Sequence, residues 1–185
     1  MPQEKQVLLE HEALGRTVAR MSHEIIDQCG DPAALVLIGI RSRGVYLARR
    51  IARNIEDSLG TLPMVSVLDI TPYRDDRARN QSAPAAGAFD GPVAVDGKTV
   101  VLVDDVIFRG RTIRAALEAV AQCGQPRRIL VAVLIDRGAR ELPIRADIVG
   151  KNVQAGEDVR INVLLEESDG IDQVTMARWQ GHAMP

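Results

Sequence analysis

The sequence predicts an α/β fold, a parallel sheet flanked by helices with a small β-rich hood at its C-terminal end. Two observations carry this reading. Continuous apolar stretches at 34–38, 99–103 and 128–135 lack the alternation of a sheet with one wet face, so they read as strands buried on both sides. Between them the apolar residues recur at helical spacing, and alternation of strand with helix selects a parallel sheet with right-handed crossovers.

Taken in order, Leu8, Leu9, Ala13, Leu14, Val18, Met21, Ile25 and Ile26 follow a helical period, and Gly30 with Pro32 stops that helix. The strand at 34–38 follows. A turn from Gly39 to Gly44 leads into a helix marked by Tyr46, Leu47, Ile51 and Ile55. Residues 64–70 form the next strand. About 71–92 the chain is rich in Arg, Asp, Asn, Pro, Gly and Ala with little periodicity, which predicts a long mobile loop. A turn at Asp96-Gly97 opens the strand at 99–103, which is expected to end on Asp104-Asp105; a helix from about Thr112 to Cys123 and the strand at 128–135 follow. Short strands at 148–149, 159–165 and 174–176 are expected to build the hood, about 137–178. The whole chain, 1–185, reads as a single domain with no internal repeat.

Composition narrows the function. With 185 residues, 46% hydrophobic and 26% charged, the chain can bury a proper core. A formal net charge of −2 argues against wholesale nucleic-acid binding. Two Phe, two Tyr and one Trp are too few for a domain that stacks bases on exposed rings. The apolar runs are too short to span a bilayer, so no membrane partner is expected, and the first residues lack a signal-peptide layout. Cys29 and Cys123 form no disulfide framework and no cluster has zinc spacing. A cytoplasmic protein without a transition metal is the expectation.

In open α/β sheets the ligand lies beyond the carboxyl ends of the strands. Four segments should lie there: Gly39 to Gly44, Asp69 onward, Asp104 to Thr112, and Asp136 onward. The third is the most informative. Phe108 to Thr112 would sit between a strand end and a helix N-terminus, where backbone N–H groups and the helix dipole favour a phosphate. Gly110 permits the bend and Thr112 adds a hydroxyl. Asp104 and Asp105, just before that cradle, suit vicinal hydroxyls or a hydrated Mg²⁺ ion. Alone, an acid pair closing a strand or a glycine in a turn is ordinary structure; the apolar strand, acid pair, small loop and helix in succession are far more specific. Gly97-Lys98-Thr99 mimics the end of a nucleotide-binding P-loop, but Gly91 is one residue too far upstream and the motif precedes a strand. It is a turn.

The stretch from Val100 to Thr112 resembles the phosphoribosyl pyrophosphate (PRPP) motif of type I phosphoribosyltransferases. Further stretches at 39–48, 68–76, 136–147 and 149–152 narrow the likeness to the PyrR family, bifunctional pyrimidine operon regulators and uracil phosphoribosyltransferases. The resemblance runs over nearly the whole chain. It implies a type I phosphoribosyltransferase fold and conversion of uracil and PRPP to UMP and pyrophosphate, with Mg²⁺ as cofactor. By the match, Asp104 and Asp105 hold the ribose hydroxyls, directly or through metal-bound water. Val106, Ile107, Phe108, Arg109, Gly110, Arg111 and Thr112 complete the PRPP motif, with 108–112 on the 5-phosphate. Arg41, Ser42 and Arg43 form the pyrophosphate loop, and Arg41 joins Arg74, in the mobile loop, among the catalytic groups. Arg137 and the backbone near Val159 hold the base. A pyrimidine is expected because Phe108 and Asp136 stand where 6-oxopurine transferases carry an Asp and a Lys.

The resemblance also implies UMP or UTP as effector, pyrimidine-leader mRNA as a partner, and a homodimer or higher assembly. His23, Arg140, Arg145 and Lys151 match the family's RNA-binding surface. Ala19, Gln28 and Ala139 stand where relatives carry Thr, a basic residue and His, and Arg109 where they commonly carry Thr. The expectation is weak specific RNA binding. The other reading of the same likeness is a nucleotide-sensing RNA-binding attenuation regulator with little or no catalysis.

Overall fold

Residues 5–71 and 89–178 are described in the computed structural model of the chain. The elements are β1 (Gln6–Leu9), α1 (His11–Cys29), β2 (Leu35–Ile40), α2 (Arg43–Leu59), β3 (Met64–Leu68), β4 (Thr99–Ile107), α3 (Arg111–Cys123), β5 (Arg128–Asp136), β6 (Ile148–Asn152), β7 (Val159–Leu164), α4 (Glu166–Asp169) and β8 (Gln173–Arg178). Five strands in the order β3-β2-β4-β5-β6 form the main sheet, and every neighbouring pair in it is parallel.

Successive residues of a strand face opposite sides, and here both sides are dry. Leu35, Leu37, Val101, Val103, Leu130, Ala132 and Leu134 pack in one core layer with Leu14, Val18 and Ile25 of α1 and Leu47, Ile51 and Ile55 of α2. Val36, Ile38, Ile40, Val100, Leu102, Val131 and Val133 pack in the other with Ile113, Ala116, Ala119 and Val120 of α3. This two-sided burial is why the strands read as unbroken apolar runs.

From β2 the chain passes through α2 to β3 on one side, then returns to β4 on the other. The strand order therefore switches between β2 and β4, the place where ligands sit in open α/β sheets. Gly44 lets α2 start hard against β4 there. A Cβ on it would lie 2.4 Å from the Val103 carbonyl oxygen and 3.2 Å from the Asp104 Cα.

A second, three-stranded sheet in the order β1-β8-β7 forms the hood. It is antiparallel. Arg50 of α2 fastens it to the core. Its guanidinium donates to Glu167 at 2.8 and 2.6 Å and to Asp172 at 2.8 and 2.7 Å. Burial alone would raise the Asp172 carboxyl, but the Arg50 hydrogen bonds, the Glu166 N–H and the Arg50 charge together outweigh it and hold the group below its usual range.

Three expectations are corrected. Leu8 and Leu9 belong to a strand, not to the first helix, because residues 6–9 pair with β8. The segment at 148–149 lies in β6, at the edge of the main sheet beside β5, and not in the hood; the hood draws its third strand from the N-terminal end instead. β4 also continues through the acid pair to Ile107, since β5 still pairs with it at Asp104, Val106 and Ile107.

Candidate active site

The length difference between β2 and β4 makes the site. Pairing of β4 with β2 stops at Gly39 opposite Val103, whereas pairing with β5 runs on to Ile107 opposite Asp136. Beyond Val103 one edge of β4 is uncovered, and the chain from Ile40 to Arg43 bends around the gap. The result is a cleft of about 400 Å³ lined by Ile40, Arg41, Ser42, Arg43, Asp69, Ile70, Thr71, Asp104, Asp105, Val106 and Thr112. Segments far apart in sequence meet there as the strand-end rule requires. The Arg41–Ser42 peptide is cis.

Asp104 is 7% exposed. Its Oδ1 accepts the Asp105 N–H at 2.9 Å, and the Asp105 Oδ1 accepts the Val106 N–H at 2.8 Å. Among the described residues neither carboxylate forms an ion pair. Burial pushes the Asp104 carboxyl well above the ordinary range, and the neighbouring Asp105 charge pushes it further. Asp105 is raised too, chiefly by burial, with the Val106 N–H and the Arg43 charge pulling the other way. Two adjacent carboxylates, Asp104 buried and Asp105 half-buried, short of positive charge are a prepared site for a cation or for hydroxyl donors. The donor set fits a hydrated Mg²⁺ ion, a hard cation that keeps its waters and takes one or two carboxylates.

The cations beside them are engaged with acids. Arg41 donates to Asp90 at 2.8 Å and lies 3.9 Å from Asp69. Arg43 donates to both oxygens of Asp169 in the hood, at 3.3 and 2.9 Å. The Asp169 carboxyl is lowered to about 2 by the Leu165 N–H, the Ser168 hydroxyl and Arg43.

The loop from Phe108 to Gly110 leads into α3. Gly110 stands at its start with φ +90°, a left-handed conformation that glycine adopts without steric cost. Phe108 lies under the Arg137 guanidinium, 3.8 Å from the ring centroid. Arg137 is 6% exposed; its Nη2 donates to the Gly156 carbonyl at 2.8 Å, and its Nε is buried without a partner among the described residues. Arg137 also lines a neighbouring depression of about 510 Å³ with Asp136, Arg140, Arg145, Asn152 and Gln154.

The structure thus gathers Arg41, Ser42, Arg43, Asp104, Asp105, Val106 and Thr112 around one cleft. Ile107 is core beneath it. Arg109 and Arg111 reach instead to Glu141. Val159 opens β7, and its N–H donates to the same Gly156 carbonyl that Arg137 binds; it lines neither depression. Arg74 lies outside the described residues, as does most of the 71–92 segment. His23 on α1, Arg145, and Lys151 on β6 are exposed, whereas Arg140 is turned inward. Sequence reasoning assigned no role to Asp90, Glu141 and Asp169, which act only through contacts across the fold; Asp69 was visible as a strand-end residue.

This geometry, an acid pair at the switch point between an arginine turn and a glycine loop opening a helix, defines a phosphoribosyltransferase. Residues 5–166 match the phosphoribosyl transferase domain family. The chain belongs to the PyrR family. It is 54% identical to the bifunctional protein PyrR of Chloroflexus aurantiacus, over 96% of this chain and 97% of that one. It is 48% identical to the protein of that name from Pelotomaculum thermopropionicum, over 95% and 97%. Among solved structures it resembles the hypoxanthine phosphoribosyltransferase of Trypanosoma cruzi, with a TM-score of 0.71, 16% identity, and 95% and 97% of the chains covered. At that identity the likeness speaks for the fold alone. No helix among the described residues is long and apolar enough to cross a membrane.

Asp104, the buried member of the acid pair, sets a pH signature on stability. A carboxyl raised in the folded state binds its proton before the unfolded chain does, so its contribution favours folding below the unfolded value of about 4 and is lost as pH rises through the folded one. Asp104→Asn should therefore raise Tm at neutral pH, by roughly 3 °C or more, and the gain should shrink toward pH 4. Calorimetric scans across pH measure this; a lower Tm at neutral pH would mean that the ionised pair supports the fold.

Proposed function

We propose that this protein transfers the phosphoribosyl group of PRPP to uracil, forming UMP and releasing pyrophosphate. The observation that carries the reading is the acid pair Asp104–Asp105 lining the cleft between the Arg41–Arg43 turn and the loop entering α3. As the bond from ribose to pyrophosphate lengthens, positive charge develops on the sugar, and two fixed carboxylates favour it. Arg41 and the backbone of the 41–43 turn face the departing pyrophosphate, with Asp90 and Asp69 holding the Arg41 guanidinium until it arrives. The N–H groups at the start of α3 and the Thr112 hydroxyl receive the 5-phosphate. Mg²⁺, when bound, neutralises pyrophosphate charge, and Asp104 and Asp105 are the residues to hold it through water or the ribose hydroxyls.

Uracil fits better than a purine. Phe108 has no proton to exchange and is covered by Arg137. Asp136 is already occupied, its oxygens accepting from the Gly138 N–H and from Arg140. Arg137 and the backbone leading into Val159 meet at the Gly156 carbonyl, and this corner of the hood is the proposed seat of the base. Purified protein with PRPP, Mg²⁺ and labelled uracil should yield UMP, and hypoxanthine and guanine should yield nothing. Asp105→Asn should lower kcat/KM by about 30- to 1,000-fold, the range for removing one preorganised electrostatic group. Turnover of purines without uracil would overturn the assignment.

A regulatory role through pyrimidine-leader mRNA, responsive to UMP or UTP, rests on the exposed His23, Arg145 and Lys151. Arg20 draws α1 onto β6 by donating to the Val149 and Gly150 carbonyls, so His23 and Lys151 stand on adjoining elements. Arg140 adds little to that surface, because its guanidinium is committed within the chain. Ala19 and Ala139 offer no side-chain hydrogen bond. RNA binding should therefore be steeply salt-dependent and weakly selective. A leader hairpin and a scrambled hairpin should bind nearly equally with UMP present, in a homodimer or larger assembly. Tight, UMP-stimulated preference for the leader would contradict this.

A further inference from the structure

The segment from Arg140 to Ile144 backs the phosphate loop from outside. Arg140 Nη1 donates to the Phe108 carbonyl at 2.8 Å. The Glu141 and Leu142 N–H groups donate to the Arg109 carbonyl at 3.1 and 3.3 Å. The Glu141 carboxylate takes Arg109 Nε at 3.0 Å and Arg111 Nη2 at 2.6 Å. Beneath Gly110, Ile144 and Leu142 lie 3.6 Å from where a Cβ would stand, and the Arg140 stem 3.9 Å away.

The direction of those carbonyls has a consequence. In a planar trans peptide the N–H of one residue points opposite to the C=O of the residue before it. With the Phe108 and Arg109 carbonyls held by the backing segment, the N–H groups of Arg109 and Gly110 point away from it, into the cradle. There they join the N–H groups at the start of α3, which have no carbonyl one helical turn before them within the helix. The two arginine side chains flanking Gly110 are drawn back onto Glu141, which keeps those donors uncovered.

We propose that Arg140 and Glu141 are positioning residues of the 5-phosphate site: they turn two backbone N–H groups into the cradle without touching the ligand. Arg140 is itself over-determined, for its Nε donates to the Ile144 carbonyl at 3.0 Å and its Nη2 to Asp136 at 2.5 Å. The role rests on the phosphoribosyltransferase reading and adds residues outside the PRPP motif to it.

The test separates the two ends of the substrate by calorimetric titration of the full chain. Arg140→Met should weaken ribose 5-phosphate and UMP about tenfold, the effect of one lost charge-assisted hydrogen bond. Inorganic pyrophosphate, whose site is the 41–43 turn, should bind as in the unaltered protein. The KM for PRPP should rise with kcat changed less, and Arg140→Lys should recover part of the loss. Glu141→Gln keeps the backbone donors to Arg109 and should lose about threefold. Equal weakening toward pyrophosphate and ribose 5-phosphate, or no weakening in Arg140→Met, would overturn the positioning role. Failure of the unaltered protein to bind either phosphate ligand would instead overturn the functional reading.

Discussion

Everything in the site depends on one constraint, two adjacent carboxylates held within the central strand β4, just past the point where β2 stops covering its edge. A central strand of a parallel sheet is an expensive place for charge, because water reaches it only from the cleft and the partner strands supply only neutral backbone. Asp104 and Asp105 meet that expense by accepting N–H groups of their own chain, and they stay short of positive charge. The unmet demand is what makes the cleft a site for a cationic transition state. Charge-strained carboxylates that a ligand satisfies destabilise the resting fold and favour the bound one.

The rest of the architecture supplies what that pair requires. The pairing of β2 with β4 ends four residues before β4 does, which opens the cleft; Gly44 lets α2 approach β4 closely enough to bring Arg43 beside Asp105. Arg50 binds the hood through Glu167 and Asp172, and Arg43 binds it again through Asp169. The arginines of the site are held by Asp90, Asp169 and Glu141. The Arg41 and Arg43 pairs are partly exposed and weak, on the order of 0–1 kcal/mol each, so a pyrophosphate can displace them, whereas Glu141 keeps Arg109 and Arg111 drawn back from the 5-phosphate donors.

Much of this was legible in the sequence. The core strands announced themselves because two-sided burial forces continuous apolar runs, and the motif from Val100 to Thr112 is local, so the order of strand, acid pair, loop and helix marked it and its resemblance to the PRPP motif gave it a role. What failed was long-range pairing. Leu8 and Leu9 read as helix because they happen to continue the helical period, and nothing nearby shows that they pair with β8. Residues 148–149 were assigned to the hood because a short strand carries no mark of which sheet it joins. Glu141 and Arg140 stand 30 or more positions from the loop they hold, beyond the reach of any spacing argument. Arg140 was read as a surface cation because its inward turn is a property of packing.

The most direct measurement of the central claim is the proton count on binding PRPP with Mg²⁺, obtained by titration calorimetry in buffers of different ionisation enthalpy at mildly acidic pH. If the acid pair retains protons until the ligand satisfies it, binding releases more protons from the unaltered protein than from Asp104→Asn. Equal proton release from the two would show that the pair is already fully ionised in the free protein, and would contradict the account.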